Sequence, residues 1–239
     1  MREEAVELIL GSPTASAVVC CEHASERLPS PWQWPEEDAW LRGTHWSYDL
    51  GAAELAREVA AALGAPAVLS RFSRLLIDPN RDEANDELFR ARAEGRKVAL
   101  NAGIDAGERE RRLAYYRAYH EVLGSEIARS RAPIILSMHS FTPVYEGRVR
   151  EVEVGVIFDT EEVLAARAAE ALARAGFVVR MNEPYSGREG LIYSAERHAR
   201  EQGRRALELE VRQDLSVLPE ARARVVAAVA EVLAGESGG

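Results

Sequence analysis

Apolar residues in this chain gather in short runs that stop abruptly at polar ones. Val18-Val19-Cys20-Cys21 ends in Glu22-His23-Ala24-Ser25-Glu26, and Ile134-Ile135-Leu136 ends in Ser137-Met138-His139-Ser140. Leu75-Leu76-Ile77 runs into Asp78-Pro79-Asn80-Arg81 in the same way. Buried strands that deliver polar side chains to the carboxyl edge of a parallel sheet read like this, and ligands of open α/β sheets bind in the crevice beyond those ends. A fourth run, Ala206 to Val211, alternates instead. It places Glu208, Glu210 and Arg212 on one face and Leu207, Leu209 and Val211 on the other.

Between the runs the period lengthens to that of helices. Leu50, Ala53, Ala56, Val59, Ala60 and Leu63 predict a helix from Asp49 to Leu63, stopped by Gly64. A longer one from Glu108 to Arg129 carries Leu113, Tyr116, His120, Leu123 and Ile127 on one stripe, where His120 is expected to pack without catalytic duty. Asp159 followed by Glu162 resembles a capping box and opens a helix that ends at Gly176. Pro219 opens the last helix. Strands are expected at Ala17–Cys21, Ala67–Leu69, Leu75–Ile77, Pro133–Met138, Val152–Phe158, Phe177–Arg180 and Ala206–Val211. Residues 1–15 read as a lead-in, and Leu28 to Trp46 as a long ordered loop whose Trp32, Trp34 and Trp40 pack it down as a flap. Arg81 to Gly103 reads as a solvated, charged insertion. Strands alternating with helices predict an α/β sandwich around a mostly parallel or mixed sheet, with residues 1–239 as one domain.

Composition narrows the partners. At 239 residues, 47% apolar and 29% charged, the chain is an ordinary globular sequence able to bury a real core. Its net charge of −9 argues against nucleic acid, whose phosphates need a basic face, but allows a small anion held by a local arginine. No apolar run is long enough to span a bilayer and no charged-then-apolar leader opens the chain, so the cytoplasm is expected and a membrane is not. Cys20 and Cys21 are adjacent, a spacing that disfavours a mutual disulfide.

The polar endings carry candidate chemistry. His23-Ala24-Ser25-Glu26 is an H-x-x-E, which at a strand end can offer one nitrogen and one carboxylate to the same metal. A catalytic zinc takes three protein ligands, and His139, closing another strand, is placed to be the third. A hydrogen-bonded histidine at a strand edge is the plainer reading of His23. Pro79 stiffens the bend that presents Asn80 and Arg81, so a guanidinium and an amide could grip a carboxylate there. A structural Arg–Asp bridge between loops would use the same residues. Glu210 on a central strand could serve as a general base, whereas on an edge strand it would be one of several solvated acids.

Taken together the motifs resemble a known family. The order E-H-A-S-E, H-W-S-Y-D-L-G-A, I-D-P-N-R, S-M-H-S-F-T-P, N-E-P-Y-S-G and E-V-R-Q-D-L, spread from Val18 to Leu215, is similar to the N-formylglutamate amidohydrolases. These are related to the zinc carboxypeptidases, whose H-x-x-E, D-x-N-R, histidine and E-x-R pattern occurs here in the same order. The resemblance implies a three-layer α/β/α sandwich of the phosphorylase/hydrolase-like, zinc-exopeptidase-like kind. It implies Zn2+ on His23, Glu26 and His139, carboxylate binding by Asn80 and Arg81, and Glu210 as the base. Glu26 departs from the family pattern, and Glu22 is the substitute ligand. The expected activity is zinc-dependent hydrolysis of a small, anionic N-acyl amino acid such as N-formylglutamate. The competing expectations are a zinc carboxypeptidase on short peptides and a metal-free carboxylate-binding protein. A cysteine hydrolase is disfavoured because both thiols sit within the apolar run.

Overall fold

The computed structural model describes residues 2–145 and 147–236. Seven strands form its main sheet: β1 (Val6–Ile9), β2 (Ala17–Cys21), β3 (Ala67–Ser70), β4 (Ile134–Phe141), β5 (Val154–Ile157), β6 (Val179–Met181) and β7 (Arg205–Arg212). Their spatial order is β1-β3-β2-β4-β7-β5-β6. The central four, β3, β2, β4 and β7, are parallel. Strand β1 pairs antiparallel with β3, and β5 antiparallel with β7, so the sheet is mixed at its flanks.

Helices cover both faces. Helices α1 (Ala52–Leu63), α3 (Glu162–Arg174) and α5 (Pro219–Ala234) pack on one, where Val19, Cys21, Leu136, Met138, Leu207 and Leu209 meet them. Helices α2 (Ala106–Arg129) and α4 (Tyr193–Gln202) cover the other, over Val18, Cys20, Ile135 and Ala206. This is the α/β sandwich expected from the alternation of periods, with the three layers that the family resemblance implies.

The two faces of the central strands differ in a way that sets the site. The α1 face is apolar through the middle of each strand, from Ala17 to Cys21, Ile134 to Met138 and Leu207 to Val211. On the α2 face each strand starts apolar and turns polar towards its carboxyl end: Val18, Cys20 then Glu22; Ile135 then Ser137 and His139; Ala206 then Glu208 and Glu210. The registers place Ser137 beside Glu208 and His139 beside Glu210. Strand β7 lies between β4 and β5, so Glu208 and Glu210 stand on an interior strand.

Several expectations are corrected. Leu75-Leu76-Ile77 is buried but forms no strand, because Ser73 turns the chain: its carbonyl accepts the Leu76 N–H at 2.9 Å and its Oγ accepts the Leu75 N–H at 3.2 Å. The lead-in contains β1, and α4 forms where the sequence pattern predicts no helix. The solvated insertion is only partly so. Ala93 and Val98 are buried with Leu41 and Leu75 in a third apolar cluster, onto which Trp34, Trp40 and Trp46 pack. Asp38 caps that arrangement by accepting the Ala99 and Leu100 N–H groups at 2.9 and 2.7 Å. The tryptophan loop is thus ordered, and it is folded against the charged segment. Asp159 does not cap α3, which begins at Glu162. No helix among the described residues is long and apolar enough to cross a membrane.

Candidate active site

Three buried side chains converge where the polar half of the α2 face begins. His23 follows β2, His139 lies in β4, and Asp49 sits just before α1. One donor atom from each lies within 4.8 Å of the others. Asp49 Oδ2 is 2.8 Å from His139 Nδ1 and 3.3 Å from His23 Nδ1. The opposite ring nitrogens are taken by two further carboxylates: His23 Nε2 lies 2.7 Å from Asp78 Oδ1, and His139 Nε2 lies 3.1 Å from Glu22 Oε2. Each imidazole is therefore oriented from behind by an acid while its Nδ1 faces Asp49, the arrangement in which outer carboxylates fix ligating histidines.

Glu26 is not brought to this cluster. Its carboxylate accepts the Gly43 N–H at 2.6 Å, away from both histidines. Asp49 stands where the H-x-x-E spacing suggested Glu26, and Glu22 supports His139 from the far side of the ring. The reason is local. The chain turns directly after β2, so His23 reaches the cluster and Glu26 does not, whereas Asp49 is held inward by its own backbone: its N–H donates to the His23 carbonyl at 2.9 Å. Ser140 Oγ and Ser216 Oγ both donate to the next carbonyl, that of Leu50, at 2.8 and 2.6 Å. In the sequence Asp49 marks only the start of a helix, although it lies within a motif that carries the family resemblance.

Charge is dense here. Arg74 donates to Asp49 Oδ1 at 3.3 Å and to Asp78 Oδ2 at 3.1 Å, bridging the two acids. Burial alone would raise the Asp78 and Asp49 carboxyls, but His23, with Arg74 at Asp78 and His139 at Asp49, holds both well below the usual carboxylate range. Burial would lower His139, yet Glu208, Asp49 and Glu22 outweigh it and push its imidazole well up. Burial dominates on β7 instead: it pushes Glu208 up to about 7 and Glu210 well above the ordinary glutamate value. Glu208 Oε2 approaches His139 Nε2 at 3.5 Å, and neither it nor the buried Glu210 Oε2 has a hydrogen-bond partner among the described residues.

His23, Asp49, Arg74, His139, Glu208 and Glu210 line a cavity of about 380 Å³, a size suited to a small molecule. Asn80 and Arg81 line it too. The Asn80 amide is largely committed to the backbone, donating to the Leu191 carbonyl at 3.2 Å and accepting the Ser194 N–H at 2.9 Å. Among the described residues the Arg81 guanidinium donates only to the Asn80 carbonyl, at 3.3 Å, and has no carboxylate partner. Cys20 and Cys21 are fully buried on β2, and burial holds both thiols well up, which leaves them unsuited to nucleophilic attack. His120 is buried against His198, 3.0 Å between Nδ1 and Nε2, beside a separate groove between α2 and α4.

Comparison with known proteins decides the family. The sequence pattern of N-formylglutamate amidohydrolase matches residues 15–217. The chain belongs to that family. Among solved structures, a gene product of Agrobacterium tumefaciens superposes with a TM-score of 0.88 at 28% identity, covering 98% of this chain and 95% of that one. The N-formylglutamate amidohydrolase of Ralstonia eutropha JMP134 superposes with a TM-score of 0.68 at 20% identity, covering 96% of each chain. A bacteriophage poly-gamma-glutamate hydrolase shares the fold at a TM-score of 0.50 and 10% identity, over 97% of this chain and 89% of that one. No curated protein matches in sequence.

In this N-formylglutamate amidohydrolase family member the donor set fits a divalent cation such as zinc. Two imidazole nitrogens and one carboxylate oxygen make a three-ligand N/O set, which leaves a further coordination position open. The unpartnered, buried Glu210 oxygen beside His139 is the second sign, since such an atom is costly unless the site uses it.

Proposed function

We propose that this chain is a zinc-dependent amidohydrolase that hydrolyses N-formylglutamate or a closely similar N-acyl amino acid, with residues 1–239 as its single catalytic domain. His23, Asp49 and His139 would hold the zinc, with Asp78 and Glu22 orienting the two rings. When bound, zinc supplies Lewis-acid chemistry: it polarises an acyl carbonyl and lowers the pKa of water. The observation that carries the reading is Glu210, an acid on an interior strand, facing the cavity with one oxygen unpartnered.

Glu210 acts as the general base. Burial raises its affinity for a proton, so it is a stronger base than a solvated glutamate. It takes a proton from the water that attacks the formyl carbon and passes it to the nitrogen as the C–N bond breaks, releasing formate and the free amino acid. Arg81, with no carboxylate partner among the described residues, grips the α-carboxylate, and Asn80 holds its loop to the start of α4. Cavity size supports a small acyl amino acid rather than an extended peptide.

The test is formate release from N-formyl-L-glutamate by the zinc-loaded protein and by Glu210→Gln. Positioned proton transfer contributes about 10²–10⁴-fold, so kcat is expected to fall by roughly that factor while zinc content persists. Glu208→Gln, two residues earlier on the same face, is the comparison and should matter less. If Glu208→Gln abolishes turnover and Glu210→Gln does not, the base is Glu208. A wild-type protein that binds glutamate but holds no zinc and releases no formate is a carboxylate-binding protein.

A further inference from the structure

We propose that Arg150 is the specificity residue that reads a second carboxylate of the ligand, the side-chain carboxylate of an acidic N-acyl amino acid. This rests on the reading of the cavity as an amino-acid site. Four guanidiniums line that cavity. Arg74 is spent on Asp49 and Asp78, and Arg90 is paired with Glu87 at 2.8 Å. Arg81 and Arg150 have no carboxylate partner among the described residues. In a chain with 39 acidic and 30 basic residues, two cavity arginines without an acid are not a consequence of composition.

Arg150 is also held ready. Its guanidinium lies 4.8 Å from the Tyr145 ring centroid and 5.4 Å from those of Phe141 and Tyr185. Rings orient a guanidinium without neutralising it. Among the described residues its only side-chain hydrogen bonds, to the Tyr185 hydroxyl and the Thr142 carbonyl, are long at 3.4 Å. Its backbone is fixed: the N–H donates to the Pro143 carbonyl at 2.8 Å, and its own carbonyl accepts from Arg212 Nη1 at 3.1 Å. A planar fork thus enters the cavity with donors to spare, the geometry suited to a bidentate carboxylate. Arg81 and Arg150 come from different segments, one after β3 and the other after β4, so each can take one end of a dicarboxylate.

Isothermal calorimetry with L-glutamate and L-glutamine tests this without relying on turnover. The two ligands share size and α-carboxylate and differ only in the side-chain charge. The wild-type protein is expected to prefer glutamate by about tenfold or more, the scale of a charge-assisted hydrogen bond. Arg150→Gln should collapse that preference, and Arg150→Lys, which keeps charge and loses the fork, should retain part of it. Arg81→Gln should weaken both ligands in similar proportion. Equal binding of the two ligands by wild type, or an Arg150→Gln variant that keeps the preference, overturns the proposal. Should Arg150→Gln melt well below wild type, Arg150→Lys decides alone: a preference undiminished in it also overturns the proposal. Formate release from N-formyl-L-glutamate is measured in parallel. Arg150-dependent glutamate binding without hydrolysis leaves Arg150 assigned and removes the amidohydrolase reading.

Discussion

Gly51→Ala tests how firmly the fold holds Asp49. Gly51 precedes α1 with φ 77° and ψ −9°, a left-handed conformation that costs an L-residue about 1–2 kcal/mol. An added Cβ would also sit 2.5 Å from the Ser216 carbonyl carbon and 2.7 Å from its Oγ. That backbone has little room to retreat, because Ser216 Oγ is anchored on the Leu50 carbonyl. Overpacking of this kind costs about 1–3 kcal/mol more, so the total expected loss is roughly 2–5 kcal/mol.

The same helix supplies its own control. Gly64 ends α1 with φ 57°, and a Cβ there meets nothing within 4 Å, so Gly64→Ala carries the conformational cost alone. Urea denaturation of both variants should separate them by about 1–3 kcal/mol, which isolates the contact with Ser216. The separation has a functional counterpart. A displaced Gly51 drags Leu50 and Asp49 away from His139, so zinc affinity should fall in Gly51→Ala and hold in Gly64→Ala. Equal stability losses in the two variants would refute the claim that Ser216 pins this turn.

Asp49→Asn is expected to lose stoichiometric zinc after dialysis while Glu26→Gln retains it; metal analysis giving the reverse would restore the H-x-x-E ligand set. Arg81→Lys keeps the charge and loses the fork, so kcat/KM for N-formyl-L-glutamate should drop by about 1–3 kcal/mol. Substrates with an amidated α-carboxylate that react as fast as free acids would remove Arg81 from that role. His120 is depressed to about 3 by burial, then by His198, against about 6.5 in an unfolded chain. Below pH 6.5 the unfolded chain takes up a proton that the folded protein refuses, so stability erodes as pH falls from 6.5 towards 3, by at most about 1.4 kcal/mol per pH unit. His120→Gln should be less stable at pH 7 but show a flatter decline to pH 5 in urea titrations, and an unchanged slope would show that another group drives it.

What could be read beforehand followed from local pattern. Strand β7 was legible because alternation over Leu207–Val211 fixes which residues share a face, and helix α1 because its stop at Gly64 is a local signal. The ligand set was only half legible. His23 and His139 end apolar runs, but Asp49 reaches them from 26 residues beyond His23, through backbone bonds to His23 and side-chain bonds from Ser140 and Ser216. No spacing rule contains those contacts. The run Leu75–Ile77 misled for the opposite reason: three apolar residues fit a strand or a buried turn equally, and Ser73 made it a turn. Arg150 gave no signal because its isolation from acids exists only once the neighbouring loops are in place.

The cost of this site is concentrated in its acids. Glu22, Asp49, Asp78, Glu208 and Glu210 are all less than a tenth exposed, and within the fold they are answered by Arg74 and two imidazoles. The allocation is uneven. Tyr119, Ser137 and His139 all serve Glu22, whose two oxygens accept hydrogen bonds at 2.7–3.1 Å. Burial of Glu22 and Asp78 is therefore compensated locally, and these two acids fix the rings. Glu208 and Glu210 are left with an oxygen each that has no partner among the described residues, and burial raises the proton affinity of both. Replacing such acids by apolar residues would stabilise the sheet, since an unpaired buried carboxyl costs several kcal/mol. Their position therefore argues for chemistry: the sheet spends stability only on the face and at the strand ends where a cation and a substrate would collect the charge.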